Sequence, residues 1–283
     1  MEFAYINDEF MPAEKVDPLL LDRGLFFGDG VYDFVRSYNG RIFALERHLD
    51  RFARSLEDIY ITGIDLDKVK DDIIKAYKRA EIPDCGIYFH ITRGRAPRSY
   101  LWDETELEPS FFLSLAPIEH YREIKAAGVK VISHKDLRWK CRYIKSLNLL
   151  PNVMAKHAAS LKGCDDAVLY DKDVITEGAS STFFAIYDDT LVTHPQDENI
   201  IAGITRDFVI SICDHAGLRL IERPIKTSEI LDADEMFFAA TSKDVLAIVE
   251  YNGNPISGGK PGPKTRRLEV LFSELTRHKD NLT

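Results

Sequence analysis

Five short segments contain side chains whose types and spacing could do chemistry. The run Tyr143-Ile144-Lys145-Ser146-Leu147-Asn148 holds a lysine read as following a short strand and preceding a helix. Apolar Ile144 and Leu147 strip hydration from an ammonium and favour the neutral amine, the form that makes a Schiff base. By itself the run reads first as a stretch with a surface lysine, where most lysines are found, and spacing alone does not overturn that reading. The second segment is Ile175-Thr176-Glu177-Gly178-Ala179-Ser180-Ser181-Thr182. It sets one acid before a small-residue turn that lets backbone approach a ligand closely; an ordinary hairpin turn is the alternative. In the third, Gly203 precedes Ile204 and Thr205 at a helix start, where free amides and a hydroxyl can cradle a phosphate. In the fourth, Thr241 and Ser242 follow the strand-like run EMFFAA, and a phosphate or a helix cap would each use their hydroxyls. The fifth is the loop from Thr92 to Tyr100, with Arg93, Arg95 and Arg98 around a glycine and a proline. An arginine fork matches a carboxylate, and a solvated basic loop is the plainer local reading.

Other chemistries lack their signatures. The sequence has no GxGxxG after a strand, no Walker loop, no HExxH and no GxSxG. Its eight histidines form no ligand-spaced cluster, so no metal site is expected. With 37 basic and 46 acidic side chains the net charge is -9, which predicts solubility and no bulk attraction for nucleic acid or anionic membranes. No run approaches the roughly 18 apolar residues of a membrane span, and the acidic opening segment lacks a signal-peptide pattern. Cys85, Cys141, Cys164 and Cys213 stand far apart. They are expected as free, mostly buried thiols in a reducing, cytoplasmic compartment.

The elements that must position these residues follow from periodicity. FAYIN and FMPAE read as a hairpin, and Asn39-Gly40 as the turn of a second. Leu49, Phe52, Leu56 and Ile59 form a helical stripe, and Asp65 caps the run LDKVKDDIIKAYKRA. GIYFHITR and SFFLSLAP read as strands. Beyond the polar stretch EHYREIKAA, strands are expected at VKVISH, DAVLY, STFFAIY, TLVTH and EMFFAATS. Helices are expected at 151–162, 204–216 and 264–278, the first with Pro151 in its opening turn. The 283 residues therefore predict a mixed α/β (α+β) protein of two domains sharing one site. These are a smaller N-terminal antiparallel-sheet domain at 1–118, a linker at 119–127 and a larger C-terminal mixed α/β domain at 128–283.

Taken in order, the segments DRGLFFGDGVYDFVR, ERHLDRF, YFHITRGRAPR, YIKSLNLLPNVMAK, VITEGASSTFF, IIAGITRD and FFAATS resemble the fold-type-IV pyridoxal-phosphate enzymes over nearly the whole chain. TRGRAPR, KSLNLL and ITEGASS are most similar to the D-amino-acid-transaminase branch. The resemblance implies pyridoxal 5'-phosphate as cofactor and Lys145 as the catalytic Schiff-base lysine. Glu177 would bind the pyridine nitrogen. Ser180 and Ser181 would lie at the cofactor, and Arg51, Ile204, Thr205 and Thr241 at its phosphate. Tyr32, Arg98 and Tyr100 would receive the substrate carboxylate; Tyr32 and Arg51 rest on the resemblance alone. It further implies a homodimer acting on an amino donor such as D-alanine and on 2-oxo-acid acceptors such as 2-oxoglutarate or pyruvate. Transamination of branched-chain L-amino acids or (R)-amines, or lysis of aminodeoxychorismate, are the alternatives. Two positions depart from the branch. Tyr100 replaces a common histidine by a phenol that stays neutral near pH 7, and Thr182 replaces a common asparagine.

Overall fold

The computed structural model describes residues 3–103, 107–118 and 122–277. The first strands, β1 (Phe3–Ile6) and β2 (Glu9–Pro12), form the expected hairpin, with Asn7 and Asp8 both at positive φ. Helix α1 (Arg23–Phe27) is capped by Asp22, which accepts from the Gly24 amide. It is followed by β3 (Gly30–Tyr38), β4 (Arg41–Ile42), α2 (Leu45–Asp58), α3 (Leu66–Ala80), β5 (Cys85–Thr92) and β6 (Ser110–Pro117). Asp65 does cap α3, accepting from the Lys68 amide. The strands form one antiparallel sheet in the order β4-β3-β5-β6.

Side chains alternate across a strand, and β3 uses both faces. Val31 and Val35 join Phe52, Ile73, Ile87 and Phe89 in a core beneath α2 and α3. Tyr32 and Phe34 point the other way, into a cavity. Asp33 shares the buried face with Val31 and Val35, where it meets side chains of α2.

The second half contains α4 (Arg122–Ala127), β7 (Val129–Lys135), α5 (Leu150–Ser160), β8 (Asp166–Asp171), β9 (Val174–Gly178) and β10 (Thr182–Tyr187). After these come β11 (Thr190–Thr193), α6 (Ile204–Ile212), β12 (Arg219–Glu222), β13 (Ile225–Lys226), β14 (Glu235–Ala240), β15 (Asp244–Tyr251), β16 (Asn254–Pro255) and α7 (Pro263–Leu275). These strands form a ten-stranded mixed sheet in the order β12-β11-β10-β14-β15-β7-β8-β9-β13, with β16 beside β15. The β11–β12, β15–β7 and β7–β8 pairs are parallel. One face packs on α6 and α7 through Phe184 and Phe237, whose rings stack at 4.8 Å, and through Val209, Leu268 and Phe272. A small antiparallel sheet beside a larger mixed one is the fold class expected from the sequence.

The two sheets meet at Asp244. From β3, Arg36 Nη1 donates to its Oδ1 at 3.0 Å and Tyr38 Oη at 2.5 Å, while Lys125 Nζ on α4 reaches Oδ2 at 2.6 Å.

Several local readings are corrected. Strand β15 was absent from the expected strands. Its run Val245-Leu246-Ala247-Ile248-Val249 is buried throughout, and a strand covered on both faces shows no alternation to read. Within the expected linker, Arg122–Ala127 is helical and residues 119–121 lie outside the described residues, as does residue 278 of the expected last helix. Thr241 and Ser242 cap no helix, since they lead directly into β15. Residues 179–181 do not turn an ordinary hairpin either. Strands β9 and β10 are not hydrogen-bonded neighbours in the sheet; β14, β15, β7 and β8 lie between them. Cys85 and Cys213 are buried, whereas Cys141 and Cys164 are only half-buried, and all four are free.

Candidate active site

Lys145 does not follow a strand directly. It lies in the irregular segment 136–149 between β7 and α5. That segment docks on the edge of β3 that β4 leaves uncovered. The Tyr32 amide donates to the Lys145 carbonyl at 3.0 Å, the Leu147 amide to the Gly30 carbonyl at 3.0 Å, and Val31 bridges Ser146. The Lys145 amide donates to Ser55 Oγ on α2 at 3.3 Å. The lysine backbone is thus fixed to the small sheet while its helix packs on the large one. Its Nζ stands 4.3 Å from the centroid of the Tyr32 ring.

Lys145 opens on a cavity of about 420 Å³ between the two sheets. Tyr32, Phe34 and Tyr88 form the small-sheet wall, and Glu177, Ser180, Ser181, Thr182, Thr241 and Ser242 line the large-sheet side. Ile204 and Thr205 border it at the start of α6. Gly203 caps that helix without any side-chain hydrogen bond, so first-turn amides are left for a ligand, and a helix N-terminus favours an anion.

Arg51 borders the same region. Its Nε and Nη2 grip Asp33 at 3.0 and 2.7 Å, and Nη1 donates to the Ala202 carbonyl at 2.8 Å. An arginine has five N–H donors, so the second Nη1 hydrogen remains for a ligand oxygen. His48 Nδ1 lies 2.8 Å from Asp33 Oδ1. Burial pushes the Asp33 carboxyl up, but the Arg51 guanidinium and then His48 outweigh it and hold the group below the usual carboxylate range. Burial depresses His48, with Asp33 opposing and Arg51 and Lys145 adding to the fall.

Glu177 is 4% exposed. Arg138 Nη1 donates to its Oε2 at 2.5 Å and the Ile201 amide to its Oε1 at 3.2 Å. Arg138 also binds Asp136 through Nε and Nη2, and Asp136 accepts from Thr176 Oγ1 at 2.7 Å. Burial raises the Glu177 carboxyl above its ordinary value, and Arg138 pulls it back only in part. Burial opposes the charge on Arg138 as well, but Glu177 and Asp136 together raise it.

The donor and acceptor set suits pyridoxal phosphate. A phosphate fits the α6 amides, Arg51 and the Thr241 hydroxyl, and a ring N–H fits a carboxylate such as Glu177. Two further atoms want partners. Ser181 Oγ and Asn152 Oδ1 are shielded from solvent, belong to residues lining the cavity, and have no protein hydrogen bond. Buried polar atoms are rarely left so, and a ligand with polar ring substituents would satisfy them.

The structure gathers Tyr32, Arg51, Lys145, Glu177, Ser180, Ser181, Ile204, Thr205 and Thr241 around this cavity. Arg98 and Tyr100 are not brought to it within one chain. Tyr100 is 79% exposed with its ring 5.5 Å from that of Phe27, and the Arg98 guanidinium sits 5.4 Å over the same ring. Arg93, from the same arginine-rich loop, is buried and structural. It binds Asp29 and the Ile59 and Tyr60 carbonyls and stacks on Trp102.

Sequence reasoning missed Arg138, Asp33, His48, Asn152 and Lys156. Only Asp33 carried a local signal, an acid in the middle of the apolar run VYDFVR, where a buried carboxylate requires a partner. No helix among the described residues is long and apolar enough to cross a membrane, and no group of three potential metal ligands occurs among them.

Comparison with known proteins agrees with this geometry. The family model of class IV amino-transferases matches residues 30–251. D-alanine aminotransferase of Staphylococcus epidermidis is 34% identical over 278 residues, covering 97% of this chain and 98% of the relative. That of Bacillus licheniformis is 36% identical over 270 residues, covering 94% of each. Among solved structures, a branched-chain amino acid aminotransferase of Escherichia coli superposes with a TM-score of 0.86 at 21% identity, covering 95% of this chain and 93% of that one. That of Thermoproteus uzoniensis, solved with norvaline, gives 0.83 at 23% identity, covering 99% and 97%. A further branched-chain enzyme, solved with pyridoxamine 5'-phosphate, gives 0.85 at 22% identity, covering 99% and 96%. At such identities these structures speak for the fold alone. A match across most of the chain, joined to a cavity lined by Lys145, the buried Glu177 and an open helix start, makes this protein a member of the class IV aminotransferases, enzymes that use pyridoxal phosphate.

Proposed function

We propose that this chain is a D-amino-acid transaminase. It moves the amino group of D-alanine and similar D-amino acids to 2-oxo acids such as 2-oxoglutarate and pyruvate, with Lys145 as the reacting amine. One observation carries the reading: Lys145 Nζ, over the Tyr32 ring, shares a cavity with the buried Glu177–Arg138 pair and the uncapped start of α6. The D configuration is supported by the relatives named D-alanine aminotransferase at 33–36% identity over nearly their whole length.

Pyridoxal phosphate, when bound, supplies the carbon that carries the amino group between the two substrates and the ring that takes up electron density from the substrate's Cα. Arg51, the Ile204 and Thr205 amides and the Thr241 hydroxyl bind the phosphate, and Asp33 keeps Arg51 oriented. Glu177 holds the ring nitrogen, with Arg138 fixing the carboxylate from behind. Ser180 and Ser181 supply hydroxyls. Lys145 Nζ takes the proton from the substrate Cα and returns it later. Tyr32 binds the substrate carboxylate. Arg98 and Tyr100 complete that clamp from a second copy of the chain in a homodimer, because each lies exposed and outside the cavity of its own protomer. The exposed Leu25, Tyr100 and Leu101 would give such an interface apolar area. A cytoplasmic location accords with four unpaired cysteines.

The test is an amino-donor panel with cofactor-saturated protein. D-alanine with 2-oxoglutarate should yield pyruvate. Strong turnover of L-leucine with none of D-alanine would overturn the reading in favour of a branched-chain enzyme. Pyruvate released from aminodeoxychorismate without an acceptor would point to a lyase.

A further inference from the structure

The cavity contains a second lysine for which the transamination chemistry has no use. Leu149, Asn152, Val153 and Lys156 line it from α5 and the residue before it. Their spacing puts them on one helical stripe. Lys156 Nζ lies 3.1 Å from Asp166 Oδ2, and Lys243 Nζ lies 2.9 Å from the same oxygen. Asp166 is 1% exposed, and its other oxygen accepts from the Ala167 amide.

The charge count is uneven here. Arg51 is matched by Asp33, and Arg138 faces both Asp136 and Glu177. Lys156 and Lys243 share a single carboxylate, which leaves one positive charge over at this wall. Exposure divides the two roles. The Lys156 side chain is 38% exposed and faces the cavity, whereas Lys243, 21% exposed, stands behind it. Ser180 and Ser242 line the same space. Burial lowers the Lys156 ammonium from its ordinary value and Asp166 opposes that fall; a second carboxylate would act in the same direction as Asp166.

We propose that Lys156, backed by Lys243 on their shared Asp166, is the specificity-determining residue for a second, distal carboxylate, so that the enzyme favours dicarboxylic substrates: acidic D-amino acids and their 2-oxo acids. This rests on the transaminase reading and names its substrate class. A lysine binds such a group as a compact point charge, and a charge-assisted contact discriminates against a methyl group in the same place.

The experiment measures binding to cofactor-loaded protein and so does not depend on turnover. Glutarate and valerate have the same number of carbons and differ in one terminal carboxylate. Wild type should bind glutarate at least about tenfold more tightly. Lys156→Met should remove the preference and Lys156→Arg should retain most of it. Lys243→Met, outside the cavity wall, should weaken it by letting Asp166 neutralise Lys156 fully; this variant also stands in if Lys156→Met fails to fold. The ratio of kcat/KM for D-glutamate over D-alanine should fall with the preference. No preference in wild type, or a preference that survives Lys156→Met, overturns the proposal. So does weaker cofactor binding in Lys156→Met with the preference intact, which would put Lys156 on the cofactor instead. Turnover of L-glutamate with none of D-glutamate or D-alanine, alongside a Lys156-dependent glutarate preference, would sink the D configuration and leave the distal-carboxylate site standing.

Discussion

Arg138 Nη1 lies 2.5 Å from Glu177 Oε2, while Nε and Nη2 of the same guanidinium hold Asp136 at 3.0 and 2.8 Å. One buried cation thus answers Glu177 and is the nearer of two guanidinium groups on Asp136, where Arg142 Nε lies 3.4 Å away. Removing it leaves both without their main partner. Arg138→Leu should cost about 3–5 kcal/mol of stability, the usual penalty for breaking a buried pair from one side. It should also let burial carry the Glu177 carboxyl further upward, because the opposing charge is gone. Denaturant unfolding measures the first effect and a pH titration of the cofactor's visible band the second. Arg138→Lys should recover only part of either, since an ammonium lacks the fork that spans two carboxylates.

Asp33 is fully buried between Arg51 and His48. Burial raises its carboxyl, yet Arg51 and His48 hold it below the unfolded value, which is about 4. A depressed carboxylate contributes stability above its unfolded value and loses it as pH falls toward its native one. Wild-type stability should therefore drop as pH is lowered below about 4. Asp33→Asn should show a shallower fall over that window and be less stable at neutral pH by about 3–5 kcal/mol. Unfolding midpoints measured across the acid range check both. A variant curve parallel to wild type would show that Asp33 does not supply the acid sensitivity.

These two pairs mark where the sequence stops being readable. Helix α3 was legible because its Asp65 cap and apolar stripe lie within a few residues of one another. Glu177, Gly203, Thr205 and Thr241 stood out for similar local reasons, as an acid before a small-residue turn, a helix start and hydroxyls at a strand end. Arg138 did not, because its partner Glu177 lies 39 residues away and only the pairing of β7 and β9 on either side of β8 brings them together. Strand β15 was hidden for the opposite reason, since a strand buried on both faces carries no pattern. The resemblance found Tyr32 and Arg51, whose roles depend on β3 and α2 facing a cavity that neither segment encodes alone.

Gly178 ends β9 where the chain leaves for residues 179–181. A Cβ there would stand 2.3 Å from Ser181 Oγ and 2.6 Å from Phe238 Cε1. Phe238 is fully buried and packed against its neighbours, so the displacement falls on the serine segment. Gly178→Ala should cost about 1–3 kcal/mol, the range for overpacking, and should weaken cofactor binding because Ser180 and Ser181 move. Thermal unfolding with and without pyridoxal phosphate separates the effects. The variant should gain less from added cofactor than wild type does. An equal gain would mean that the turn absorbs the methyl group without disturbing the cavity.

The last prediction concerns which protomer Arg98 serves. Lys145 borders the cavity of its own chain, whereas Arg98 sits outside it over Phe27. If Arg98 acts across a two-fold dimer, Lys145→Ala and Arg98→Leu should each be nearly inactive alone yet complement when unfolded together and refolded. In a mixed dimer one site carries both defects. The other carries neither, because it combines an intact Lys145 with the Arg98 of the Lys145→Ala chain. Random pairing gives mixed dimers in half of the population, so about one quarter of all sites should regain wild-type turnover. An Arg98 acting within its own chain would give no such recovery, since every site would then keep one defect. Sedimentation of each variant shows whether dimers form, which separates a failed interface from a failed assignment of Arg98.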